Sequence, residues 1–337
     1  MLQFVRKTTA TITPKEMENL YATLRTPNKH GAVMKWEQFY TDSPSVFRFG
    51  DAFYMYFIAI SKDTGVSGYE THLARSADLL HWDYVGPIFR RDNANRWDSR
   101  QCAAYVAFPD IRWEGNAVPE TVNGRYYVSY LGGNSDGYEP DPLSMGLAST
   151  ADPTDPNGFC RLGAPILEPT DPDIRPYEDR TLFKSYLFRD PLGTTGHPYV
   201  NCYNARSSAY TERIYLAVSD DGLHWERYGD RAVIDLIDDG HPREMISGDP
   251  QILLIGDIYV MLFFRWQDGG RAFNTFAASR NLADWTVWEG KPLIESEYPW
   301  EDLHAHKTWF LRYGGRSYHF YCAVNSRNER FIALATD

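Results

Sequence analysis

Apolar and polar residues alternate in short runs along most of the chain, which is the pattern of β-strands with one buried face. Residues 40–57 show it most clearly, with one strand through Val46 and a second through Tyr54. Gly50 and Asp51 between them are typical residues of a tight turn. The pattern therefore predicts a β-hairpin at this point.

The second strand of this hairpin recurs four more times. The five copies centre on tyrosines spaced 59 to 73 residues apart, at Tyr54, Tyr127, Tyr199, Tyr259 and Tyr318. A third strand follows in every copy, and a fourth follows in the first four copies. Five repeats of about four strands predict an all-β fold, a five-bladed β-propeller.

The fifth repeat stops after its third strand, whereas a propeller has to close its ring. We therefore expect residues 31–36, an isolated strand before the first repeat, to complete the last blade. This makes residues 1–337 a single domain with an N-terminal helical extension over 1–30. The predicted blades cover residues 38–90, 100–168, 176–235, 245–295 and 302–337, the last together with 31–36.

A short helix is predicted before the repeats. Thr13, Pro14 and Glu16 supply an N-cap, a proline for the first turn and a capping-box glutamate. Apolar residues then recur at helical spacing and form one face, which comprises Met17, Leu20, Tyr21 and Leu24.

Composition excludes several classes of partner. The net charge of -11 argues against nucleic acid and leaves no basic patch for a membrane surface. No apolar run is long enough to cross a membrane. Aromatic residues make up 15% of the chain, which suits packing between sheets and also suits sugar binding.

The four cysteines are widely spaced and form no metal-binding pattern. We interpret them as reduced thiols and expect a cytoplasmic protein, or a secreted or periplasmic one if a leader has been removed. The sequence leaves the oligomeric state open.

Charged or polar residues stand at the predicted start of each repeat's first strand. In a propeller these strands line the central axis, so their starting ends converge. A single Asp at a strand start is usually a turn residue. Four carboxylates in register are better explained by a site, because crowded like charges shift pKa values and are retained mainly where they are used. The residues concerned are Asp42, Asp110, Glu178 with Asp179, Asp249, and His304 with His306.

Five repeats with Asp42, Asp110 after a proline, and Glu178 at these positions resemble the five-bladed propeller glycosidases of glycoside hydrolase family 43, with features of the family 32 and family 130 relatives. The resemblance implies that Asp42 is the general base, that Asp110 sets the pKa and orientation of the acid, and that Glu178 is the general acid. Cleavage of a glycosidic bond requires such a pair of one ionised and one protonated carboxyl group.

The chain departs from the family 43 pattern at two of these positions. Ser43 separates Asp42 from the proline that normally follows directly. The third repeat reads Glu178-Asp179-Arg180, which resembles the mannoside phosphorylases and leaves Glu178 and Asp179 as competing acids. We favour Glu178.

Further residues are candidates for contacts with a sugar because of their chemistry and their position in loops or at strand starts. They are Glu70, Trp97, Arg100, Asp179, Arg180, Asp249, Trp266 and His304. The resemblance also implies a structural calcium or sodium ion in the central channel, for which His306 is the candidate ligand. No cofactor is expected to be required.

The predicted function is that of an exo-acting, inverting glycoside hydrolase. Its expected product is a terminal furanosyl or pentosyl unit, namely arabinofuranose, xylose or galactofuranose, released from an oligosaccharide or polysaccharide. One alternative is a β-mannoside phosphorylase or hydrolase of the family 130 type. Another is a carbohydrate-binding propeller without catalytic activity.

Overall fold

The chain folds almost entirely into β-structure. The computed structural model describes residues 2–6, 8–63 and 67–337, and this part of the chain contains twenty strands and one helix. No helix in these ranges combines the length and hydropathy needed to cross a membrane. The all-β prediction with a short N-terminal helix is thus confirmed.

The strands form five groups that follow one another along the chain. After β1 (Asn28–Met34), the first group comprises β2 to β5, at Phe39–Phe49, Ala52–Ser61, Tyr69–Ser76 and Asp83–Phe89. The second comprises β6 to β9, at Gln101–Val106, Tyr126–Gly133, Ser144–Thr150 and Cys160–Arg161. The third comprises β10 to β13, at Thr181–Arg189, Tyr199–Arg206, Glu212–Ser219 and Glu226–Tyr228. Neighbouring strands within each group pair antiparallel.

The remaining strands follow the same arrangement. The fourth group comprises β14 to β17, at Glu244–Ile255, Ile258–Gln267, Phe273–Ser279 and Thr286–Val287. The fifth comprises β18 to β20, at His304–Tyr313, Arg316–Val324 and Arg330–Thr336. A parallel contact between Glu212 of β12 and Ile246 of β14 links the third and fourth groups into one eight-stranded sheet.

The N-terminal strand β1 pairs with β20, with Ala32 opposite Ala333. It therefore supplies the fourth strand of the fifth group, as predicted. The strand begins three residues earlier and ends two residues earlier than the predicted range of 31–36.

The predicted fourth strands of groups two to four are shorter than expected. Each is a strand of two or three residues followed, some residues later, by an isolated bridge at Leu167, Ile234 or Ile294. Gly163 and Gly229, with φ of 91° and 80°, interrupt two of them, because a left-handed residue cannot continue a strand.

Hydrogen bonds between the inner strands join each group to the next. The ring nitrogen of Trp309 completes the series by bonding from the fifth group back to the first, and Trp309 is fully buried. Buried polar atoms need such partners, so these bonds stabilise the junctions. They run from Val106 N to Ser45 Oγ (2.9 Å), Phe108 N to Leu187 O (2.8 Å), Tyr186 Oη to Ile252 O (3.2 Å), Gln251 Nε2 to Phe310 O (2.8 Å) and Trp309 Nε1 to Val46 O (2.8 Å).

The helix α1 (Pro14–Leu24) begins with the predicted capping box. Glu16 Oε2 accepts from Thr13 N at 2.8 Å, while the Thr13 hydroxyl accepts from Glu16 N. The apolar face of the helix packs against the fourth group, in a cluster that contains Leu20, Leu24 and Leu262. The helix therefore covers the outside of the fold.

Candidate active site

A cavity of about 280 Å³ receives residues from all five strand groups. Carboxylates, cations and rings are concentrated in its wall, which makes it the place where acid and base chemistry is best supported. Its carboxylates are Asp42, Glu139, Glu212 and Asp249. Its cations are Lys184, Lys307 and Arg330. Its rings include Tyr69, Tyr105, Tyr138, Phe183, Phe264, Trp266, His304 and His306.

Asp42 lies at a bulge in β2 and is 1% exposed. Its Oδ2 accepts hydrogen bonds from Lys307 Nζ and Arg330 Nη1, both at 3.0 Å, and its Oδ1 accepts from Ser43 N at 2.7 Å. Burial opposes its ionisation, but the charges of Lys307 and Arg330 outweigh burial and hold the pKa of Asp42 well below its usual range. Asp42 is therefore an ionised group whose two oxygens are already occupied.

Glu212 is the first residue of β12, where that strand meets β14. Its Oε2 accepts a hydrogen bond from Asn204 Nδ2 at 2.7 Å, and no described residue hydrogen-bonds to Oε1. Burial, with the neighbouring charge of Glu139, raises the pKa of Glu212 to about 8. The group is therefore protonated at neutral pH and has one oxygen available to a ligand in the cavity.

Asp249 lies at a bulge in β14 and has a left-handed φ of 53°. Its backbone N–H donates to Asn204 Oδ1 at 3.1 Å. Its Oδ2 is buried and has no hydrogen-bond partner among the described residues. Burial raises the pKa of Asp249, although the charges of Lys307 and Lys184 oppose that shift. An unpartnered carboxylate oxygen of this kind is ready to accept a ligand hydroxyl.

Glu139 belongs to the segment between β7 and β8. Its Oε1 accepts from the Tyr69 hydroxyl at 2.6 Å, and its Oε2 lies 3.5 Å from Arg206 Nη1. Arg206 also donates to Asp141 Oδ1 at 2.8 Å, which ties this segment to β11. Both neighbours of the Glu139 carboxylate stabilise its ionised form.

Lys184 lies in the middle of β10 and is 1% exposed. Its ammonium group donates to Thr308 O at 3.3 Å and lies 5.4 Å from the Tyr105 ring centroid. Burial lowers the pKa of Lys184 to about 8. Among the described residues, it is the one cation of the cavity wall that forms no ion pair with a carboxylate.

The structure brings five of the predicted site residues to this cavity: Asp42, Asp249, Trp266, His304 and His306. The two histidines face the same side of β18, as their i, i+2 spacing predicts, with ring centroids 5.6 Å apart. Burial, together with the charge of Lys307, keeps the pKa of His306 well below its usual range.

Glu178 does not reach the cavity. It is fully buried three residues before β10 begins, where Arg175 Nε and Arg227 Nε lie 3.0 and 3.2 Å from its Oε2 and the Tyr203 hydroxyl contacts its Oε1. Burial opposes its ionisation, but the two arginines outweigh it and lower the pKa of Glu178. A carboxyl group held ionised inside an ion cluster is unsuited to the predicted role of general acid.

Asp110 is also outside the cavity. The first strand of its group is β6, which ends at Val106, so Asp110 follows this strand instead of starting it. It pairs with Arg112 at 2.6 Å, and Leu254 N, near the far end of β14, bonds to Ile111 O next to it. The prediction misplaced the strand by about one length, and Asp110 therefore lies away from Asp249.

Three predicted sugar contacts in the first two groups, Glu70, Trp97 and Arg100, are absent from the cavity wall. Each has a protein partner instead. The partners are Arg91 N (3.3 Å from Glu70 Oε1), the Tyr130 ring (centroid 5.6 Å from that of Trp97) and Asp136 Oδ2 (2.7 Å from Arg100 Nη2).

Asp179 and Arg180 are likewise outside the cavity. Asp179 is exposed and accepts from Ser208 N at 2.9 Å, whereas Arg180 Nη2 donates to Asp141 Oδ2 at 2.8 Å. The Glu-Asp-Arg run that suggested a mannoside phosphorylase therefore serves the fold and not the cavity.

Four charged residues of the cavity were not among the predicted site residues: Glu139, Glu212, Lys307 and Arg330. Glu212 carried a usable signal, since it begins a third strand whose other residues are mostly apolar. Lys307 follows His306 directly in β18. Glu139 lies in an irregular segment, where the sequence pattern gives no indication of direction.

The surroundings of His306 do not fit the predicted ion. Its ring packs edge-on to Phe264, and Lys307 and Arg330 add positive charge beside it. In the described ranges, no three residues of the types His, Cys, Asp and Glu come together in a way that could hold a metal. The ligand set that a calcium or sodium ion needs is not found there.

Comparisons with known proteins identify relatives by structure. No protein-family profile matches the chain, and no curated protein sequence matches it. Two solved structures, one described as a glycoside hydrolase and one as a BT0996 complex with RGII, are each 36% identical to it with a TM-score of 0.90. Each alignment covers 97% of this chain and 96% of the other.

A more distant solved structure supports the fold alone. The endo-arabinase from Bacteroides thetaiotaomicron VPI-5482 is 16% identical, with a TM-score of 0.63 over 91% of this chain and 98% of that one. The two relatives at 36% identity share almost the whole length of the chain. The chain therefore belongs to the glycoside hydrolases, and it is a glycosidase with a propeller fold.

Proposed function

We propose that this glycosidase removes a single terminal sugar from an oligosaccharide or polysaccharide, with Glu212 as the general acid. The observation that carries the proposal is the state of Glu212, which is a buried carboxyl group with a pKa of about 8 and one unpartnered oxygen in the cavity. A general acid must hold its proton at the working pH and face its substrate, and Glu212 meets both requirements.

The second carboxylate is Glu139. The charge of Glu139 contributes to the raised pKa of Glu212, so the two groups are electrostatic neighbours. Arg206 and the Tyr69 hydroxyl stabilise its ionised form. Asp42, the general base implied by the family 43 resemblance, is a weaker choice because its two oxygens already accept three hydrogen bonds.

The proposed reaction proceeds with inversion. Glu139 takes a proton from a water molecule whose oxygen bonds to the anomeric carbon. The glycosidic C–O bond breaks, and Glu212 gives its proton to the departing oxygen. Asp249 Oδ2 accepts a hydroxyl of the bound sugar, and Trp266 contributes an aromatic surface to the same cavity.

The size of the cavity supports exo action. Its volume of about 280 Å³ is close to the lower limit of ligand pockets, roughly 300 Å³, and suits one sugar ring. We propose a terminal furanosyl or pentosyl unit, namely arabinofuranose, xylose or galactofuranose. The relative described as a complex with RGII supports an RGII oligosaccharide as the source of the terminal sugar.

We also propose that the five strand groups are five blades of one domain over residues 1–337, with β1 completing the fifth blade. The bonds from each inner strand to the next, ending with Trp309 and Val46, support a closed arrangement.

The experiment is hydrolysis of a panel of 4-nitrophenyl furanosides and pyranosides by the wild type and by Glu212→Gln, with and without phosphate. We expect phosphate-independent release from one furanoside or pentoside by the wild type. Proton NMR of the first product anomer should show inversion, while retention would make Glu139 a nucleophile. Activity that requires phosphate would replace hydrolysis by phosphorolysis.

A further inference from the structure

Asn204 connects two carboxyl groups of the cavity that belong to different strand groups. It lies in β11 and is 1% exposed. Its Nδ2 donates to Glu212 Oε2 at 2.7 Å, and its Oδ1 accepts from Asp249 N at 3.1 Å. Asn204 does not itself line the cavity, so it acts only through these two neighbours.

The second bond determines the direction of the first. Because a backbone N–H can only donate, the atom of Asn204 that faces Asp249 must be its oxygen. The amide nitrogen then faces Glu212 and can only donate to it. Glu212 Oε2 is consequently held as an acceptor, and the carboxyl proton is directed to Oε1, the oxygen without a protein partner.

We propose that Asn204 is a positioning residue that determines which oxygen of Glu212 carries the transferable proton. The proposal rests on the function proposed for Glu212. It extends that function by making the orientation of the acid depend on a bond from β14, the strand that also carries Asp249.

Close packing holds the amide in this orientation. A Cβ added to Gly248, the residue before Asp249, would lie 3.1 Å from Asn204 Nδ2 and 2.8 Å from Phe264 Cε1. The backbone of β14 therefore lies directly against the Asn204 amide. A larger residue at position 248 would displace the amide or the Phe264 ring.

The charged groups that act on Glu212 are Glu139, Asp249 and Arg206. The negative charges of Glu139 and Asp249 favour the protonated form of Glu212, and Arg206 opposes them. The hydrogen bond from Asn204 also favours the ionised form. Removing the Asn204 donor should therefore raise the pKa of Glu212, whereas Asp249→Asn should lower it.

The test is a carboxyl ¹³C NMR titration of protein labelled at glutamate, in which the Glu212 resonance is the one lost in Glu212→Gln. In Asn204→Leu, which keeps the approximate shape without the bonds, we expect the pKa of Glu212 to rise by about one pH unit, the size typical of a hydrogen bond to a charged group. Asn204→Asp keeps the acceptor for Asp249 N and loses only the donor, so it should give a rise at least as large.

The matched control is Asn201→Leu. Asn201 is fully buried in the same strand, bonds to Ser185 Oγ at 3.0 Å and does not line the cavity. This change should leave the pKa of Glu212 unaltered. An unchanged pKa in both Asn204 variants, or the same rise in Asn201→Leu, would overturn the positioning role.

Kinetics separate this proposal from the one on which it rests. With a substrate from the aryl panel, Asn204→Leu should lower kcat about tenfold and change KM little, because the sugar contacts are kept. If Glu212→Gln is as active as the wild type towards all leaving groups, the acid is another residue and the proposed function fails. If Glu212→Gln is impaired but Asn204→Leu has the wild-type pKa and kcat, only the positioning role fails.

Discussion

Lys307 Nζ lies 3.0 Å from Asp42 Oδ2 at the junction of the fifth and first strand groups. Arg330 Nη1 reaches the same oxygen, also at 3.0 Å. The carboxylate is 1% exposed, so the three charges interact with little screening by water. The same ion cluster therefore joins the ends of the chain and forms part of the cavity wall.

Asp42→Asn should destabilise the protein strongly. It leaves two buried cations without a counter-charge, which typically costs about 3–5 kcal/mol of the free energy of unfolding. Urea denaturation at pH 7 measures this difference. Asp179→Asn, at an exposed carboxylate, is the control and should change stability by less than about 0.5 kcal/mol.

The effect of Asp42 should also depend on pH. The pKa of Asp42 is lower in the folded state, so its contribution is fully present above the ordinary value of 3.8 and is lost as the pH falls below it. The stabilities of the wild type and of Asp42→Asn should therefore converge in acid. Equal stability of the two proteins at pH 7 would contradict the role given to this cluster.

Glu212→Gln should stabilise the protein at neutral pH. The pKa of Glu212 is about 8 in the folded state against 4.5 for an ordinary glutamate, so the folded state holds a proton that the unfolded state releases. Stability of the wild type then decreases as the pH rises from about 4.5 to 8, and the variant lacks this decrease. We expect a gain of about 1–3 kcal/mol at pH 7 in urea denaturation.

The comparison at pH 4.5 provides the control for this prediction. There the wild-type carboxyl group is largely protonated in both states, and the gain from Glu212→Gln should become small. A variant that is less stable than the wild type at pH 7 would show that Glu212 is ionised and well stabilised in the fold.

Glu178→Gln should lower stability without altering the chemistry. It removes the charge that faces Arg175 and Arg227 in the interior, at a cost of about 3–5 kcal/mol in the free energy of unfolding. At a temperature where the variant remains folded, kcat/KM should keep the wild-type dependence on pH. A selective loss of activity towards poor leaving groups would restore Glu178 as the acid.

Asp249→Asn should weaken the binding of substrate. The Oδ2 of Asp249 is the unpartnered acceptor that we assign to a sugar hydroxyl, and an amide there can present a donor instead. We expect KM to rise about tenfold, equivalent to about 1.4 kcal/mol, with a smaller effect on kcat. The effect should disappear with a substrate that lacks the matching hydroxyl, and a deoxy-sugar series would identify that position.

The fold was predictable because its signals are local. The repeated tyrosine strands, the capping box at Thr13 and the isolated strand before the first repeat each depend on residues close together in sequence. The pairing of β1 with β20 then follows from the need to satisfy the free edge of the last group.

The site was only partly predictable because it depends on strand register. Asp42 and Asp249 were identified since both lie within inner strands, at bulges that turn their side chains into the cavity. Asp110 was misplaced because the apolar run before it is itself the strand. Glu178 has the expected residue type, but two arginines distant from the cavity surround it, and no local pattern reveals that.

Glu212 was missed for a related reason. Its raised pKa arises from burial and from Glu139, which is 73 residues away in the sequence. A charged residue at the start of a strand is most often exposed, so its type alone gave no indication of the site. The contact between β12 and β14 buries it.

The central claim is that Glu212 donates the proton to the leaving group. The most direct measurement is kcat/KM of the wild type, Glu212→Gln and Glu178→Gln across aryl glycosides of increasing leaving-group pKa. The account predicts that Glu212→Gln retains activity towards the most acidic leaving groups and loses about 10²–10⁴-fold towards the least acidic, while folded Glu178→Gln follows the wild type. A Glu212→Gln enzyme that follows the wild type throughout the series would contradict it.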